Sequence, residues 1–193
     1  MSTSTKSSGN IMFTLFVFIA LFIISLVVRG CNALVDYISE DNISTQTQTI
    51  VDFEKKLYDI EQKTKSISTK VETEISQMEN YILPSLDTIR EAKNTFESVS
   101  NEYDDLAIPD GLSDEREAII KETKNAFRDA YKLKSTAMYW LEQYILDRQT
   151  ESIVNYKESI DLANYFLTRG VTSIVDLEHK LGVDLSKTMY KGK

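Results

Sequence analysis

The chain has 193 residues, 27% of them charged and 42% hydrophobic, with 22 basic against 30 acidic side chains and a single cysteine. Beyond a leader or anchor the length fits one domain, and the net charge of −8 argues against nucleic acid as the main partner, because phosphate binding needs a clustered positive surface. One cysteine cannot build an internal disulfide framework, and two prolines and six glycines punctuate the chain too sparsely for strands joined by turns, so long helices are expected.

Residues 1–10 are polar and carry Lys6 as their one charge. Residues 11–28, "IMFTLFVFIALFIISLVV", contain no charge and only Thr14 and Ser25 as polar side chains. As a helix they would span about 27 Å, close to the hydrocarbon thickness of a bilayer. Cleaved secretory segments usually have apolar runs of about 7 to 15 residues. The length therefore favours an uncleaved transmembrane anchor within 11–30.

A second reading rests on "VRGC" at 28–31, which resembles a bacterial lipobox. Val28, Gly30 and Cys31 match that pattern, while Arg29 stands where it has a small or uncharged residue. Cys31 is thus the candidate lipidation site, and the membrane is the expected partner through residues 11–28 or through lipid on Cys31. Lys6 and Arg29 tie the positive-inside count. Either reading delivers the rest of the chain outside the cytoplasm, and a reversed anchor leaves it inside.

All the acidic residues lie from Asp36 onward. Residues 31–49 read as a polar juxtamembrane stretch, ending in "SEDNISTQTQT", in which "NIS" fits a glycosylation sequon. The helical body is expected over 50–182, with helices at about 50–83, 85–106, 114–147 and 151–181 and a tail at 183–193. Ile50, Phe53, Leu57, Ile60, Thr64, Ile67 and Val71 alternate steps of three and four, the seam of a coiled coil, and a stutter follows at Ile75. Pro84 should kink or break this helix, with Ser85 able to cap a new one.

Leu86, Ile89, Phe96, Val99, Tyr103 and Leu106 continue the stripe. "AIPDGLSDER" then gives a turn, with Ser113 as N-cap and Asp114 and Glu115 beside the positive end of the next helix. That helix carries a broad apolar face from Ile119 to Ile145, in which Ala126, Ala130 and Ala137 admit a close neighbour. Thr150 is the expected cap of the last helix, whose seam runs from Ile153 through Ala163 and Gly170 to Leu181, with a stop at Gly182.

The fold class expected is all-α: an N-terminal transmembrane or signal helix, then long antiparallel helices in a three- or four-helix, coiled-coil-like bundle. If the first helix breaks at Pro84 the bundle is compact. If it does not, a stalk results whose seam residues Ile50, Phe53 and Leu57 require a second copy or another helical protein to bury them.

No Walker loop, nucleophile elbow, dinucleotide fingerprint or zincin motif is present. No catalytic, cofactor-binding or metal-ligating set is expected. The lone His179 falls in the last helical turn, where the helix dipole already accounts for it. Trp140, Tyr139, Tyr144, Tyr156 and Tyr165 read as core aromatics before they read as a ligand cleft.

From Ile108 to Leu181, "IPDGLSDEREAIIKETKNAFRDAYKL" and "YKESIDLANYFLTRGVTSIVDLEHKL" are similar to stretches of a loose group of bacterial, mainly Gram-positive, membrane-anchored or lipid-anchored helical proteins. Arg116 and Glu117 stand where that group often has histidine. The resemblance implies an anchored helical bundle and no activity. The function expected is non-enzymatic, a structural or protein-interaction module, with a ligand-sensing extracytoplasmic domain as the competing class.

Overall fold

The computed structural model describes residues 44–183, 189 and 190. The chain divides into two units, Met1–Thr45 and Gln46–Lys193. The apolar run at 11–28 and Cys31 lie outside the described residues. Among the described residues no helix is long and apolar enough to cross a membrane.

Gln46–Lys193 is all-α, with no strand among its described residues. Helix α1 covers 44–62, α2 Lys65–Ser76, α3 Leu86–Asp105, α4 Asp114–Asp147 and α5 Thr150–Lys180, with one 3-10 turn at Gln77–Asn80. The polar stretch before Ile50 is therefore helical from residue 44.

The polar position in the first seam marks a kink. Thr64 Oγ1 donates to the Glu61 carbonyl at 2.8 Å, and the Lys63 and Thr64 amides reach back only three residues, to Ile60 and Glu61. A hydroxyl inserted into the ladder tightens and bends a helix in this way. The break expected near Pro84 begins earlier, at Tyr81, whose left-handed backbone (φ 63) lets its amide and that of Ile82 close on Met78 and Gln77.

A carboxylate from the preceding helix caps α3. Glu74 accepts the Ser85 amide at 2.8 Å and the Thr88 hydroxyl at 2.7 Å, satisfying groups that a helix start leaves open. Ser85 and Ser113 occupy the N-cap positions of α3 and α4, but neither side chain makes a capping bond. At the last helix Gln149 is the N-cap and Thr150 the first helical residue, one position from the expectation. The C-terminal stop follows the Schellman pattern, with Val183 bonding back to Glu178 and Gly182 (φ 76) to His179.

Cross-helix bonds fix the sense of each neighbour. Lys70 meets Glu91 and Tyr103 meets Leu57, so α1 and α2 together form one bent rod antiparallel to α3. Ser100 bonds to Arg128 and Arg90 to Glu142, so α4 runs against α3; Arg169 bonds to Glu122, so α5 runs against α4. At Gly170 α5 approaches α4 closely, since a Cβ there would stand 2.9 Å from two ring carbons of Phe127.

The stalk alternative fails. Ile50, Phe53 and Leu57 are fully buried within the one chain, against α3 to α5, and need no second copy to cover them. The expected tail is also partly core: Tyr190 is 2% exposed and packs on Tyr58 and Phe127.

Candidate functional site

A run of rings crosses the interior from α3 to α1. Phe96 meets Tyr131, Tyr131 stacks on Tyr103, Tyr103 meets Phe127, and Phe127 meets Tyr190, which ends edge-on against Tyr58; neighbouring centroids are 5.4 to 6.1 Å apart. Offset and edge arrangements at such distances add to the stabilisation from burial alone. Lys134 lies over this run, with Nζ 4.8 Å from the Tyr131 centroid.

Each phenol brings a hydroxyl inside. Tyr103 donates to the Leu57 carbonyl at 3.0 Å, and Tyr131 lies 3.4 Å from Thr64 Oγ1. Burial pushes Tyr103, Tyr131 and Tyr190 well above the usual phenol range, so all three are neutral.

Beside Tyr190 sit two acids. Glu54 on α1 is 1% exposed and accepts the Met189 amide at 2.6 Å; Glu178 on α5 is 0% exposed. Among the described residues no amide, hydroxyl or cation donates to either oxygen of Glu178, and its one side-chain hydrogen-bond partner is Glu54. Burial first, then the neighbouring Glu54, push the Glu178 carboxyl up to about 8. Burial also raises Glu54, and the Met189 and Tyr190 amides partly offset this. The pair therefore retains one proton at neutral pH, since two adjacent carboxylates cannot readily both ionise in a dry site.

A third buried acid behaves in the opposite way. Glu142 accepts from Arg90 at 2.7 Å and from Lys93 at 3.0 Å, and these hold its carboxyl below the usual range. It locks the start of α3 to the end of α4.

Two open grooves flank these interiors. One, ≈ 400 Å³, is edged by Tyr58, Glu61, Thr64, Tyr131, Lys134 and Met189. The other, ≈ 600 Å³, lies between α3 and α4, where Arg128 is paired with Asp104 and Asp129 and Lys93 with Glu142, so its charges largely neutralise one another. Among the described residues no group of three or more His, Cys, Asp or Glu is placed to hold a metal ion.

His179 is exposed in the last turn of α5, as its position implies. The aromatic group of the last two helices does not converge. Tyr139 and Tyr165 are exposed and meet the rings of their neighbours Trp140 and Phe166; Tyr139 edges the groove between α3 and α4, and neither belongs to the core. The residues that sequence reasoning missed are Glu54, Glu178 and Tyr190. The available signal was that Glu54 follows Phe53 and Glu178 follows Leu177, so each acid flanks a seam residue and shares part of its inward face.

Exposed large apolar side chains are spread over the bundle, with Tyr139, Val154, Leu162 and Tyr165 along α4 and α5, and three others lie at one end. Gln46 bonds to Arg116 and marks the end where the bundle's chain begins. The opposite end, formed by the turn before α3 and the α4–α5 connection, presents Tyr81 (97% exposed), Ile82 and Leu146. Neither a protein-family model, nor a curated protein, nor a solved structure matches the chain.

Proposed function

We propose that this chain is a non-enzymatic, membrane-tethered helical bundle acting as a structural or protein-interaction module on the outer side of the cytoplasmic membrane. The tether is the 11–28 run, kept as a helix or replaced by lipid on Cys31, and the group resembled from Ile108 to Leu181 supports the same anchoring. The observation that carries the interaction reading is the apolar end at Tyr81, Ile82 and Leu146. A bulky residue held at positive φ with its ring in water is costly on both counts, and apolar surface kept exposed on a bundle with a well-filled interior marks a contact surface.

Two measurements test the reading. Mass spectrometry of the membrane-extracted protein gives the anchor: an intact N terminus supports the helix, a start at Cys31 with added acyl mass supports the lipoprotein, and an unacylated soluble chain overturns the tether. Photo-crosslinking in cells from residue 81 should give one discrete adduct that disappears in an Ile82→Ser, Leu146→Ser variant. A diffuse or absent adduct overturns the interaction module.

The groove at Glu61, Tyr131 and Lys134 favours a second reading, a ligand-sensing extracytoplasmic domain, because neutral hydroxyls and a cation border it together. Saturable thermal stabilisation by a small molecule, abolished by Lys134→Ala, would put that reading first.

A further inference from the structure

Met189 and Tyr190 are held by two devices of different chemistry. The Tyr190 ring fills an apolar seat between Tyr58 and Phe127, and the Met189 amide is anchored on the Glu54 carboxylate. The second device is built on an acid whose neighbour is another buried acid, and the two share a side-chain hydrogen bond. A core that needed only an anchor for this amide would be served by Glu54 alone. Adding Glu178 makes the anchor's surroundings depend on a proton.

We propose that the Glu54–Glu178 pair is a proton-dependent latch: it holds Met189 and Tyr190 in the bundle while one carboxyl of the pair is protonated, and releases them when both ionise. In the closed state the proton resides on Glu178, leaving Glu54 as the charged acceptor that a backbone N–H favours. Losing that proton places two negative charges side by side without water. Relief comes from admitting solvent, and the segment sealing the pair is attached through the bond to Glu54 and the ring in its seat.

The groups facing the pair reinforce this direction. Glu54 of α1 and Glu178 of α5 face each other, and beside them the C-terminal segment brings the Tyr190 phenol, which Glu54, Glu61 of α1 and Tyr131 of α4 all disfavour in its charged form. Among the described residues no cation forms an ion pair with Glu54 or Glu178. The second negative charge is offset in part by the Met189 and Tyr190 amides on Glu54 and, among the described residues, by no ion pair. The latch therefore operates as a carboxylic acid poised near neutral pH rather than near the ordinary carboxylate range.

The test is hydrogen exchange of the full-length chain in detergent, read in peptides covering Met189 and Tyr190 and corrected for intrinsic rates. Between pH 6 and pH 9 their protection should fall roughly a hundredfold and level off above pH 8, because each pH unit between the ordinary carboxyl value and the folded one of about 8 favours the open form about tenfold. Peptides from α3 and α4 should keep their protection. Glu178→Gln should hold the segment protected at both pH values, and Tyr190→Ala should leave it unprotected at both, with unchanged helix content. Protection independent of pH in the native chain would overturn the latch. So would an undiminished pH response in Glu178→Gln, or an equal loss of protection across α3 and α4, which would make the pair a determinant of global stability only.

Discussion

Gly170 offers the sharpest test of how tightly the last two helices are matched. In an exposed helix interior, replacing glycine by alanine stabilises by about 1 kcal/mol, since alanine loses less backbone entropy. Here the new methyl would stand 2.9 Å from two ring carbons of Phe127 and 3.4 Å from the Ala126 methyl. Phe127 cannot simply turn aside, because it is fully buried and held between the Tyr103 and Tyr190 rings. Overpacking of this kind costs about 1 to 3 kcal/mol, so it should outweigh the propensity gain and leave Gly170→Ala destabilised by about 1 kcal/mol. Gly170→Val should lose more. Urea unfolding followed by circular dichroism measures both, and a double-mutant cycle with Phe127→Leu isolates the cause. If the ring is the obstacle, the double variant should exceed the sum of the singles by about 1 kcal/mol. A Gly170→Ala chain more stable than the native one, or strict additivity with Phe127→Leu, would refute a close approach at this position.

The remaining expectations concern polar groups. Thr123 is fully buried and its hydroxyl finds no partner, so Thr123→Val should stabilise the bundle by up to about 1 kcal/mol, seen as a rise in Tm of a few degrees. Glu142→Gln weakens two charge-assisted bonds to half-exposed cations, and a loss of about 1 to 2 kcal/mol is expected in chemical denaturation. Because the folded carboxyl of Glu142 lies below its ordinary 4.5, its contribution is present above that value and disappears as pH falls through the folded one. Glu178 has the opposite sign. Its folded value of about 8 exceeds the unfolded 4.5, so the folded state binds the extra proton between them and its stability declines as pH rises across that window. Thermal melts from pH 5 to pH 9 should show this decline in the native chain and a flatter profile in Glu178→Gln.

The helices were legible because their signals are local. The turn at Pro109 to Gly111, the acidic first turn after Ser113 and the stop at Gly182 bound α4 and α5 to within a residue of Asp114–Asp147 and Thr150–Lys180. The first seam was legible as a helix face but not as to its partner. Ile50, Phe53 and Leu57 would repeat at steps of three and four whether they met a second copy or their own α3 to α5, since periodicity reports a buried face and not what buries it. Caps were harder to read. Ser85 and Ser113 are well suited by type, yet the bonds at the start of α3 come from Glu74, eleven residues before Ser85, through a chain reversal that no local motif encodes.

The least legible part was the C-terminal segment, and the reason bears on what the protein does. A tyrosine among polar residues beyond a helix stop carries no periodic signal, and its burial depends on a seat assembled from Tyr58, Phe127 and the Glu54 carboxylate, 63 to 136 residues earlier in the chain. The same holds for Glu178, whose acidity means little in sequence and a great deal once Glu54 lies beside it. A bundle stabilised by apolar seams alone would have no use for two buried acids, since unpartnered charge in a core is destabilising and apolar residues of similar size would pack there at less cost. Their presence beside the anchored Met189 and Tyr190 is therefore better explained by control of that segment than by stability of the fold. If Glu178→Gln raises stability and also fixes Met189 and Tyr190 in place at pH 9, the acid serves the segment's release, and the native chain has given up stability to keep that release available.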